Sequence, residues 1–449
     1  MNQTRRRDFI KAAGLSTAAA WAQNAPSDRV NVAVVGFHGR GRAHIREFAR
    51  IPGVRIVALC DVDERLFSSA AAEVEKLTDI RPATEVDIRR LVERKEVDAI
   101  SIATPDYWHA LMTIWACQAG KDVYVEKPVS FTVVEGRKMV EAARKYKRIV
   151  QAGQNMRSEP RVRAAIRLLH EGKLGQVYRA SIDIVKARGS IGRVREGQPP
   201  KGVHWDLYLG PSSDRAFNMN RFHYGWHFFW ETSTTDLGNT GVHHVDVARW
   251  GMNKSVHPVK IHSTGGYYVW DSDQETPNVQ TATLEYADCT LLQAQITNLY
   301  SPPSDGDNVF YTTEGYLTSA GGWKAMRGVF TPRTRPAAET DEETERATQA
   351  SFPNVQYAPG PALETEKEPK TNHFENFIAC VRSRKVEDLH CDILEGHLSA
   401  ALCHLANISF RVGRKLVFDP ANERIVGDEE ANRYLTRSYR KPFVLPDKV

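Results

Sequence analysis

The sequence predicts a two-domain α/β protein, with a doubly wound parallel sheet in the first domain and an α+β second domain whose sheet is mostly antiparallel. Two observations carry this prediction. Up to about residue 153, continuous apolar runs alternate with helical segments, as in parallel sheets covered on both faces. From residue 154 onward, strand patterns follow one another without helices between them. A chain of 449 residues is long enough for two hydrophobic cores.

The first predicted domain spans residues 29–153. Its strands are short, mainly apolar runs at residues 30–35, 54–60, 97–104, 122–125 and 148–152. Its helices have amphipathic or helix-forming composition and are expected at residues 44–50, 64–77, 88–95, 109–118 and 133–147. Parallel neighbours need a crossover connection, so this alternation predicts repeated βαβ units.

The second predicted domain spans residues 154–449. Strands are expected at residues 177–185, 259–264, 281–286 and 290–297 and around 309–318, where Gly315 marks a hairpin turn. Helices are expected at residues 161–170, 373–383 and 392–412. Residues 331–370 are rich in Pro, Glu, Thr and Ala with little apolar content, which predicts a mobile surface loop.

The net charge and the N-terminal segment limit the functional classes to which the protein could belong. Lys and Arg number 60 against 55 Asp and Glu, and a net charge of +5 gives no support for nucleic-acid binding or electrostatic attachment to a membrane. Residues 1–28 have the pattern of a twin-arginine signal: Arg6-Arg7, a mildly apolar stretch at 12–19, and Ala20-Trp21-Ala22 as a cleavage site. We expect export to the periplasm or beyond, without membrane insertion after cleavage; a disordered basic tail is the alternative.

A glycine-rich turn predicts a dinucleotide site. The apolar run 30–35 leads into Gly36-Phe-His38-Gly39-Arg40-Gly41, which then enters a helical segment. Glycines allow backbone N–H groups to approach a pyrophosphate at a helix N-terminus. Asp61 ends the next strand, where a carboxylate can bond ribose hydroxyls and would repel a 2′-phosphate. NAD is therefore favoured over NADP, although Arg40 and Arg42 could contact phosphates.

Two further segments end predicted strands at the same sheet edge. The first contains Thr104, Pro105 and His109, and either lines the nicotinamide or ribose or is a plain turn before a helix. The second, Glu126-Lys127-Pro128, places an amine beside a bound nicotinamide. The predicted cofactor-binding residues are Gly36, His38, Gly39, Arg40, Gly41, Asp61, Thr104, Pro105, His109, Glu126 and Lys127.

Aromatic and histidine residues suggest a sugar platform in the second domain. Trp205 and the segment 223–230, with Tyr224 and Trp226, could stack on the apolar face of a sugar, although packing in the interior or at a subunit contact is the alternative for each ring. Arg157 faces either the substrate cleft or a domain-interface salt bridge. The spacing of His223 with His227 and of His243 with His244 also leaves a metal site open, but none is predicted.

These motifs together resemble the glucose–fructose oxidoreductase, inositol dehydrogenase and MocA family (Gfo/Idh/MocA). The resemblance covers nearly everything after the signal and also rests on the run from Asp236 to Asp246, which includes Asn239 and His243. It implies an NAD-binding Rossmann domain, a C-terminal sheet often used for homo-oligomerisation, and hydride transfer at a carbohydrate or polyol hydroxyl.

The resemblance also implies the catalytic residues. Lys127 carries over as the lysine near the reacting hydroxyl and His243 as the general acid/base, while Asn239 stands where the family has an aspartate. An asparagine can hydrogen-bond a hydroxyl but cannot take a proton, which puts the lysine–carboxylate arrangement in doubt. The predicted substrate-binding residues are Arg157, Trp205, Tyr224, Trp226 and His244.

The sequence leaves four interpretations of the activity open. The first is an exported NAD(P)-dependent oxidoreductase acting on CH–OH groups, redox-neutral with a retained cofactor if no external NAD pool exists. The second is a glycosidase- or epimerase-type enzyme that oxidises its sugar transiently. The third is a non-catalytic sensor of NAD and sugar, which the asparagine at position 239 favours. The fourth is a hydrolase that uses the histidines with a metal ion.

Overall fold

The computed structural model of the protein describes residues 29–302, 307–329, 342 and 356–449. The first domain contains a parallel six-stranded sheet with the strand order β3-β2-β1-β4-β5-β6, so the predicted doubly wound sheet is confirmed. Its strands are β1 (Val30–Val35), β2 (Val54–Cys60), β3 (Ala83–Glu85), β4 (Ala99–Ile102), β5 (Asp122–Val125) and β6 (Val150–Ala152). The short edge strand β3 was not predicted, because three residues carry no periodic signal.

Helices cover both faces of this sheet. They are α1 (Arg40–Ala49), α2 (Phe67–Thr78), α3 (Ile88–Val92), α4 (Asp106–Gln118) and α5 (Val133–Lys145). In β1, Val32 and Val34 belong to the core packed against α1 and α2, whereas Ala33 and Val35 belong to the core packed against α4 and α5. Burial on both faces explains why the strand has no polar alternation.

The second domain contains a ten-stranded sheet in the described residues, with the order β14-β13-β12-β11-β7-β10-β9-β8-β15-β16. Its pairs are antiparallel except for the parallel neighbours β7 and β10, so the prediction of a mostly antiparallel sheet is confirmed. The strands are β7 (Val177–Val185), β8 (Lys260–Gly266), β9 (Val279–Glu285), β10 (Leu291–Thr297), β11 (Asp307–Thr312), β12 (Gly315–Thr318), β13 (Lys324–Val329), β14 (Gln356–Pro359), β15 (Leu416–Asp419) and β16 (Arg424–Ile425).

The helices of the second domain are α6 (Pro160–His170), α7 (Trp205–Leu209), α8 (Val242–Gly251), α9 (His373–Ser383), α10 (Ile393–Val412) and α11 (Glu429–Arg433). Helix α10 is buried along most of its length because it lies between the two domains: Ala400 belongs to the core of the first domain and Leu402 to that of the second. Helix α8 packs on the same sheet as α10 and carries the histidine pair of the predicted site.

Two sequence predictions concern segments that the structure covers in part or not at all. The predicted signal at residues 1–28 lies outside the described residues. Most of the predicted loop 331–370 does so too, but its last part contains β14, which pairs with β13 at the edge of the sheet. Within the described ranges, no helix is long and apolar enough to cross a membrane.

Candidate active site

A cleft of about 380 Å³ lies between the two domains, at the carboxyl ends of the parallel strands. Gly36 follows β1, Asp61 follows β2, Ala103 follows β4 and Glu126 follows β5, and all four line the cleft. The opposite wall comes from the second domain, with Lys186, Tyr224 and His243 among its residues. Ligands of doubly wound sheets bind at this edge, so the position suits a dinucleotide and a substrate beside it.

The three glycines of the turn have different roles. Gly36 has φ +76°, and a Cβ there would lie 2.9 Å from the carbonyl oxygen of Ala103. A Cβ at Gly41 would lie 2.0 Å from the carbonyl oxygen of Gly36, so this glycine allows α1 to pack against the turn. A Cβ at Gly39 would meet nothing within 4 Å. Gly39 therefore faces open space at the N-terminus of α1, as a pyrophosphate site requires.

Asp61 lies where a ribose-binding carboxylate is expected. It accepts hydrogen bonds from the backbone N–H groups of Phe37 (2.9 Å) and Asp63 (3.1 Å). Burial raises the pKa of Asp61 to about 6, and these backbone hydrogen bonds act against the increase. The nearby arginine, Arg65, is already paired with Asp63 through two hydrogen bonds of 2.7 Å. Arg65 is therefore not free to bind a second negative charge on the ribose, which fits NAD.

Glu126 lines the cleft and also forms hydrogen bonds with two residues of α1. Its Oε1 atom accepts from Arg40 Nε at 2.8 Å and contacts His44 Nε2 at 2.9 Å. Burial acts to raise the pKa of Glu126, but the hydrogen bond and charge of His44 and the charge of Arg40 outweigh it, and the pKa lies well below its ordinary value. Glu126 is thus a fixed anion that holds the glycine turn against β5.

Lys127 extends from β5 to the second domain. Its Nζ atom donates to the backbone carbonyl oxygen of Asn239 at 2.6 Å and to the Oδ1 atom of the same residue at 3.2 Å. Burial lowers the pKa of Lys127, the charge of Glu126 acts in the opposite direction, and the charge of Lys186 lowers it further. The ammonium group lines the cleft and is held in place by neutral oxygen atoms.

Asn239 lies in a π-helical turn, Leu237–Gly241, that sequence reasoning did not foresee. Its Nδ2 atom donates to Asp236 Oδ1 at 3.3 Å. Asp236 in turn accepts two hydrogen bonds from Arg188, of 2.6 and 2.7 Å, and Arg188 also donates to the Tyr224 hydroxyl at 3.2 Å. The carboxylate absent from position 239 is therefore found one turn earlier, where an arginine neutralises it.

His243 lies in the first turn of α8 and lines the same cleft as Lys127. Its buried Nδ1 atom has no hydrogen-bond partner among the described residues. Burial, followed by the positive charge of Lys127, holds the pKa of His243 well below its ordinary value. The ring is therefore neutral and able to accept a proton. The two side chains on which the predicted chemistry depends converge on one cavity.

His38, Thr104, Pro105 and His109 also line the cleft. The ring nitrogens of His109, however, contact the backbone carbonyl oxygens of Pro128 (2.7 Å) and Thr104 (2.9 Å), so this residue fixes two loops to each other. His38 stacks on His223 of the second domain with 3.6 Å between ring centroids.

The structure places three of the predicted substrate-binding residues outside the residues that line the cleft. Arg157 is buried and donates to Asp246 at 2.8 and 2.9 Å and to Glu395 at 3.0 Å, so it belongs to an ion-pair network beneath α8 and α10. Trp205 stacks on Tyr208 at 5.0 Å instead of facing the cavity. His244 contacts Asn308 Oδ1 at 2.9 Å, because adjacent helical residues point in different directions. Tyr224 and Trp226 do line the cleft.

Sequence reasoning missed the roles of Lys186, which lines the cleft, and of Arg188 and Asp236, which contact the lining residues Tyr224 and Asn239. Lys186 and Arg188 follow β7, and no local motif distinguishes them from other basic residues at a strand end. Asp236 stands in the quoted family motif, but its spacing suggested no contact with Asn239, because a three-residue separation becomes a contact only in a helical turn.

The four histidines weighed as metal ligands do not gather in the described residues. His223 stacks on His38, while His227 and His244 contact a backbone and an amide oxygen respectively. A different group, formed by His257, His397 and Glu423, has ligand atoms within 4.8 Å of one another. Arg137 also donates two hydrogen bonds to Glu423, so the carboxylate is already neutralised there.

The fold and cleft define a two-domain dinucleotide-binding protein, and the comparisons identify its family. Residues 30–154 match the NAD-binding Rossmann domain of an oxidoreductase family, and residues 190–294 and 347–445 match the C-terminal α/β domain of the same family. The chain belongs to the Gfo/Idh/MocA family of oxidoreductases. The sequence-based expectation of an NAD-binding Rossmann domain is confirmed.

Individual relatives are distant. The chain is 28% identical over 206 residues to a protein named glycosyl hydrolase family 109 protein 1 from Shewanella sp. strain ANA-3; the match spans 39% of this chain and 45% of that relative, so it covers about half of the relative's length. Two of the solved structures that share the fold illustrate this. The WlbA dehydrogenase from Bordetella pertussis, in complex with NADH and UDP-GlcNAcA, has a TM-score of 0.62 and 17% identity, covering 87% of this chain and 99% of that one. A levoglucosan dehydrogenase, in complex with NADH, has a TM-score of 0.61 and 16% identity, covering 86% and 98%.

Proposed function

We propose that the protein is an NAD-dependent oxidoreductase that acts on a hydroxyl group of a carbohydrate or polyol. The observation that carries this proposal is the convergence of the Lys127 ammonium and the neutral His243 ring on the cleft that begins at the glycine turn. A sensor would need neither a desolvated amine nor a proton acceptor at this point. The named activities of the structural neighbours, on sugar derivatives, support the same substrate class.

The residues present fit the cofactor. Gly39 leaves open space at the N-terminus of α1, Asp61 has lone pairs for ribose hydroxyls, and Lys127 lies at the far end of the same cleft. When bound, NAD would supply a hydride acceptor beside the carbinol carbon. His38, Thr104 and Pro105 line the wall between these ends and would exclude water.

The chain's own contribution is proton handling. Oxidation of a carbinol requires removal of the hydroxyl proton, and the neutral ring of His243 is the group able to accept it. Lys127, held by Asn239, would donate its remaining N–H to the substrate oxygen and stabilise developing negative charge there. Asn239 positions the ammonium but takes no proton. Tyr224 and Trp226 would pack against the sugar ring.

A second candidate function is cleavage of a glycosidic bond through transient oxidation. The match to the glycosyl hydrolase family 109 protein and the position of Tyr224 in the cleft favour it. Elimination beside a transient ketone needs a second base to remove the neighbouring proton. Burial acts to raise the pKa of Tyr224, but Arg188 and Lys186 outweigh it and the pKa is lowered. The phenolate of Tyr224 would remove that proton as the glycosidic C–O bond breaks and the alcohol leaves. Water would then add to the resulting double bond and the hydride would return to the ketone, so no net oxidation would occur.

We also propose that the protein is exported and acts as a homo-oligomer. The twin-arginine pattern of residues 1–28 supports export of an already folded protein. Outside the cytoplasm NAD would have to be retained between turnovers, which suits a redox-neutral cycle. The broad second sheet, with helices against one face, supports assembly through the other.

The proposal is tested by adding a panel of sugars and polyols to the purified NAD-loaded protein while absorbance is followed at the reduced-nicotinamide band. Simple oxidation predicts a rise with at least one compound. The glycosidase candidate predicts release of phenol from an aryl glycoside without a lasting rise. Purified protein that lacks nucleotide and binds NAD only at millimolar concentrations would contradict cofactor retention and the redox-neutral cycle, and no absorbance change with any compound would contradict simple oxidation.

A further inference from the structure

Two ammonium groups meet the same short turn in the cleft. Lys127 donates to both oxygen atoms of Asn239, and Lys186 donates from its Nζ atom to the hydroxyl of the next residue, Thr240, at 3.1 Å. Lys127 arrives from the first domain, whereas Lys186 follows β7 of the second. Both line the cleft. The π-helical turn therefore holds two like charges side by side at the substrate end.

Neither ammonium has a carboxylate partner within the described residues. Glu126, the nearest acid to Lys127 in the sequence, is occupied by Arg40 and His44. Asp236 is held by two hydrogen bonds from Arg188. Burial lowers the pKa of Lys127, and the charge of Lys186 adds to this effect. Glu126 and Asp236 thus act on the two ammonium groups only through their charge, because among the described residues neither carboxylate forms a hydrogen bond with Lys127 Nζ or Lys186 Nζ.

Among the described residues, the wall contributed by the second domain contains no carboxylate side chain. Its lining side chains are those of Lys186, Leu207, Tyr208, Phe222, His223, Tyr224, Trp226, Asn239, Thr240 and His243. Four acidic residues of the first domain line the cleft, namely Asp61, Asp87, Asp106 and Glu126; Asp87 pairs with Arg89, and Asp106 accepts from the Thr234 hydroxyl through Oδ2 only. The Asp236 carboxylate near Lys186 does not line the cleft and is paired with Arg188, so a negatively charged ligand at Lys186 would meet little repulsion from it.

The hydrogen-bonding capacity of Lys127 and Lys186 also favours an anionic ligand. An ammonium group has three N–H donors. Lys186 uses one on Thr240, which leaves two for a ligand, and Lys127 uses two on Asn239. A neutral hydroxyl could satisfy these donors but not the excess charge. A carboxylate accepts only and carries the opposite charge, so it satisfies both.

We propose that the substrate is a sugar acid whose carboxylate binds Lys186, while the hydroxyl to be oxidised lies beside Lys127 and His243. The inference rests on the proposed function for the chemistry at the hydroxyl, but the carboxylate site is a separate binding claim. Lys186 is a specificity-determining residue in this arrangement. Substrates without the carboxylate would leave two neighbouring cations unpaired.

The test is calorimetric titration of the full chain loaded with NADH, so that alcohols bind but are not oxidised. The probes are D-glucuronate and D-galacturonate, compared with D-glucose and D-galactose. We expect at least one acid to bind roughly tenfold or more tightly than its neutral counterpart, with the preference reduced by added salt. Lys186→Gln should remove the preference, Lys186→Arg should retain part of it, and the exposed Lys201→Gln should have no effect.

Equal affinity for acids and neutral sugars would overturn the inference, as would a preference that survives Lys186→Gln in a variant with an unchanged melting temperature. Failure of the proposed function looks different. Acids that bind selectively through Lys186 but never reduce bound NAD would refute oxidation and leave the carboxylate site standing. Neutral sugars oxidised as well as acids, with no effect of Lys186→Gln, would overturn the site and leave oxidation standing.

Discussion

The Nζ atom of Lys127 lies 2.6 Å from the backbone carbonyl oxygen of Asn239, a residue 112 positions later in the other domain. This hydrogen bond closes the cleft at its substrate end and fixes the ammonium group where the reacting oxygen would bind. Because the acceptor is a backbone atom, the contact does not depend on the asparagine side chain. The substitution of asparagine for the family's aspartate therefore leaves the lysine in place.

Lys127→Met should reduce the rate of nicotinamide reduction by about 10²- to 10⁴-fold, because the ammonium that stabilises the substrate oxygen is lost. NAD affinity should change little, since the glycine turn and Asp61 are intact. Single-turnover absorbance measures the rate, and the exposed Lys201→Met is the matched control. Wild-type rates in Lys127→Met would rule out this role.

His243→Gln should lower the rate by a similar factor, because glutamine cannot accept the hydroxyl proton. Burial and the charge of Lys127 lower the pKa of His243, so the ring stays neutral as pH falls through its ordinary range. The wild-type rate should therefore show no protonation step of this residue near neutrality. A pH–rate profile checks this, with His262→Gln on the exposed face of β8 as the control. Wild-type rates in His243→Gln would rule out its role as the base, whereas a step near neutrality that vanishes in this variant would contradict only the lowered pKa.

NAD affinity should depend on pH through Asp61, whose pKa burial raises to about 6. Above that pH the carboxylate is ionised and accepts from ribose hydroxyls; below it the group is protonated and loses acceptor capacity, so affinity should fall as pH decreases through 6. Asp61→Asn should bind NAD more weakly at pH 8 and show no such dependence. Fluorescence titration at several pH values provides the measurement, and the same slope in both proteins would refute the role.

Gly39→Ala should weaken NAD binding, whereas Gly41→Ala should reduce the stability of the fold. A methyl at position 39 meets nothing in the protein, so the melting temperature should be unchanged while NAD binding weakens by roughly tenfold or more. A methyl at position 41 would collide with the Gly36 carbonyl, and should reduce the free energy of unfolding by about 2 kcal/mol or more. Thermal melting with and without NAD separates the two. Unaltered NAD affinity in Gly39→Ala would mean that the pyrophosphate binds elsewhere.

Arg157→Met should destabilise the protein by about 3 kcal/mol, because the buried carboxylate of Asp246 loses its two hydrogen bonds from Arg157 and keeps only the Ser399 hydroxyl and a 3.8 Å contact with Arg249. The double variant Arg157→Met with Asp246→Leu should recover much of that loss. The exposed pair of Arg81 and Glu75 offers a control, where Arg81→Met should cost about 1 kcal/mol at most. Chemical denaturation measures all three. Normal stability with weakened sugar binding in Arg157→Met would restore its predicted role in the substrate site.

Much of the cofactor end could be predicted from the sequence because its signals are local. The glycine turn, Asp61 and the Glu126-Lys127-Pro128 triplet each follow an apolar run, and parallel strands bring such positions to one edge. The helix boundary at Arg40 was harder: the glycines weakened the helical pattern, and the helix was expected to start at residue 44. The parallel pairing of β7 with β10 could not be predicted from the sequence of either strand, since pairing and register are set by contacts between distant segments.

The substrate end was less predictable because it depends on contacts between distant residues. Trp205 and Tyr208 share one short helix, yet only Tyr208 lines the cleft, and composition cannot distinguish them. Arg157 was expected to face the substrate or a salt bridge, and the buried partner that decided the matter, Asp246, is 89 residues away. Lys186 gained its importance from Thr240, which it meets only in the folded chain.

Residues 439–449 return to the first domain after the second is complete. Phe443, Leu445 and Val449 belong to the hydrophobic core beneath α4, and the Tyr439 hydroxyl donates to Glu135 in α5. The nucleotide-binding half is thus completed only by residues that follow the second domain in the chain. A ribosome-bound nascent chain would hold an incomplete half until residues 439–449 have been synthesised, and a fragment cut at residue 153 would expose an apolar patch and precipitate.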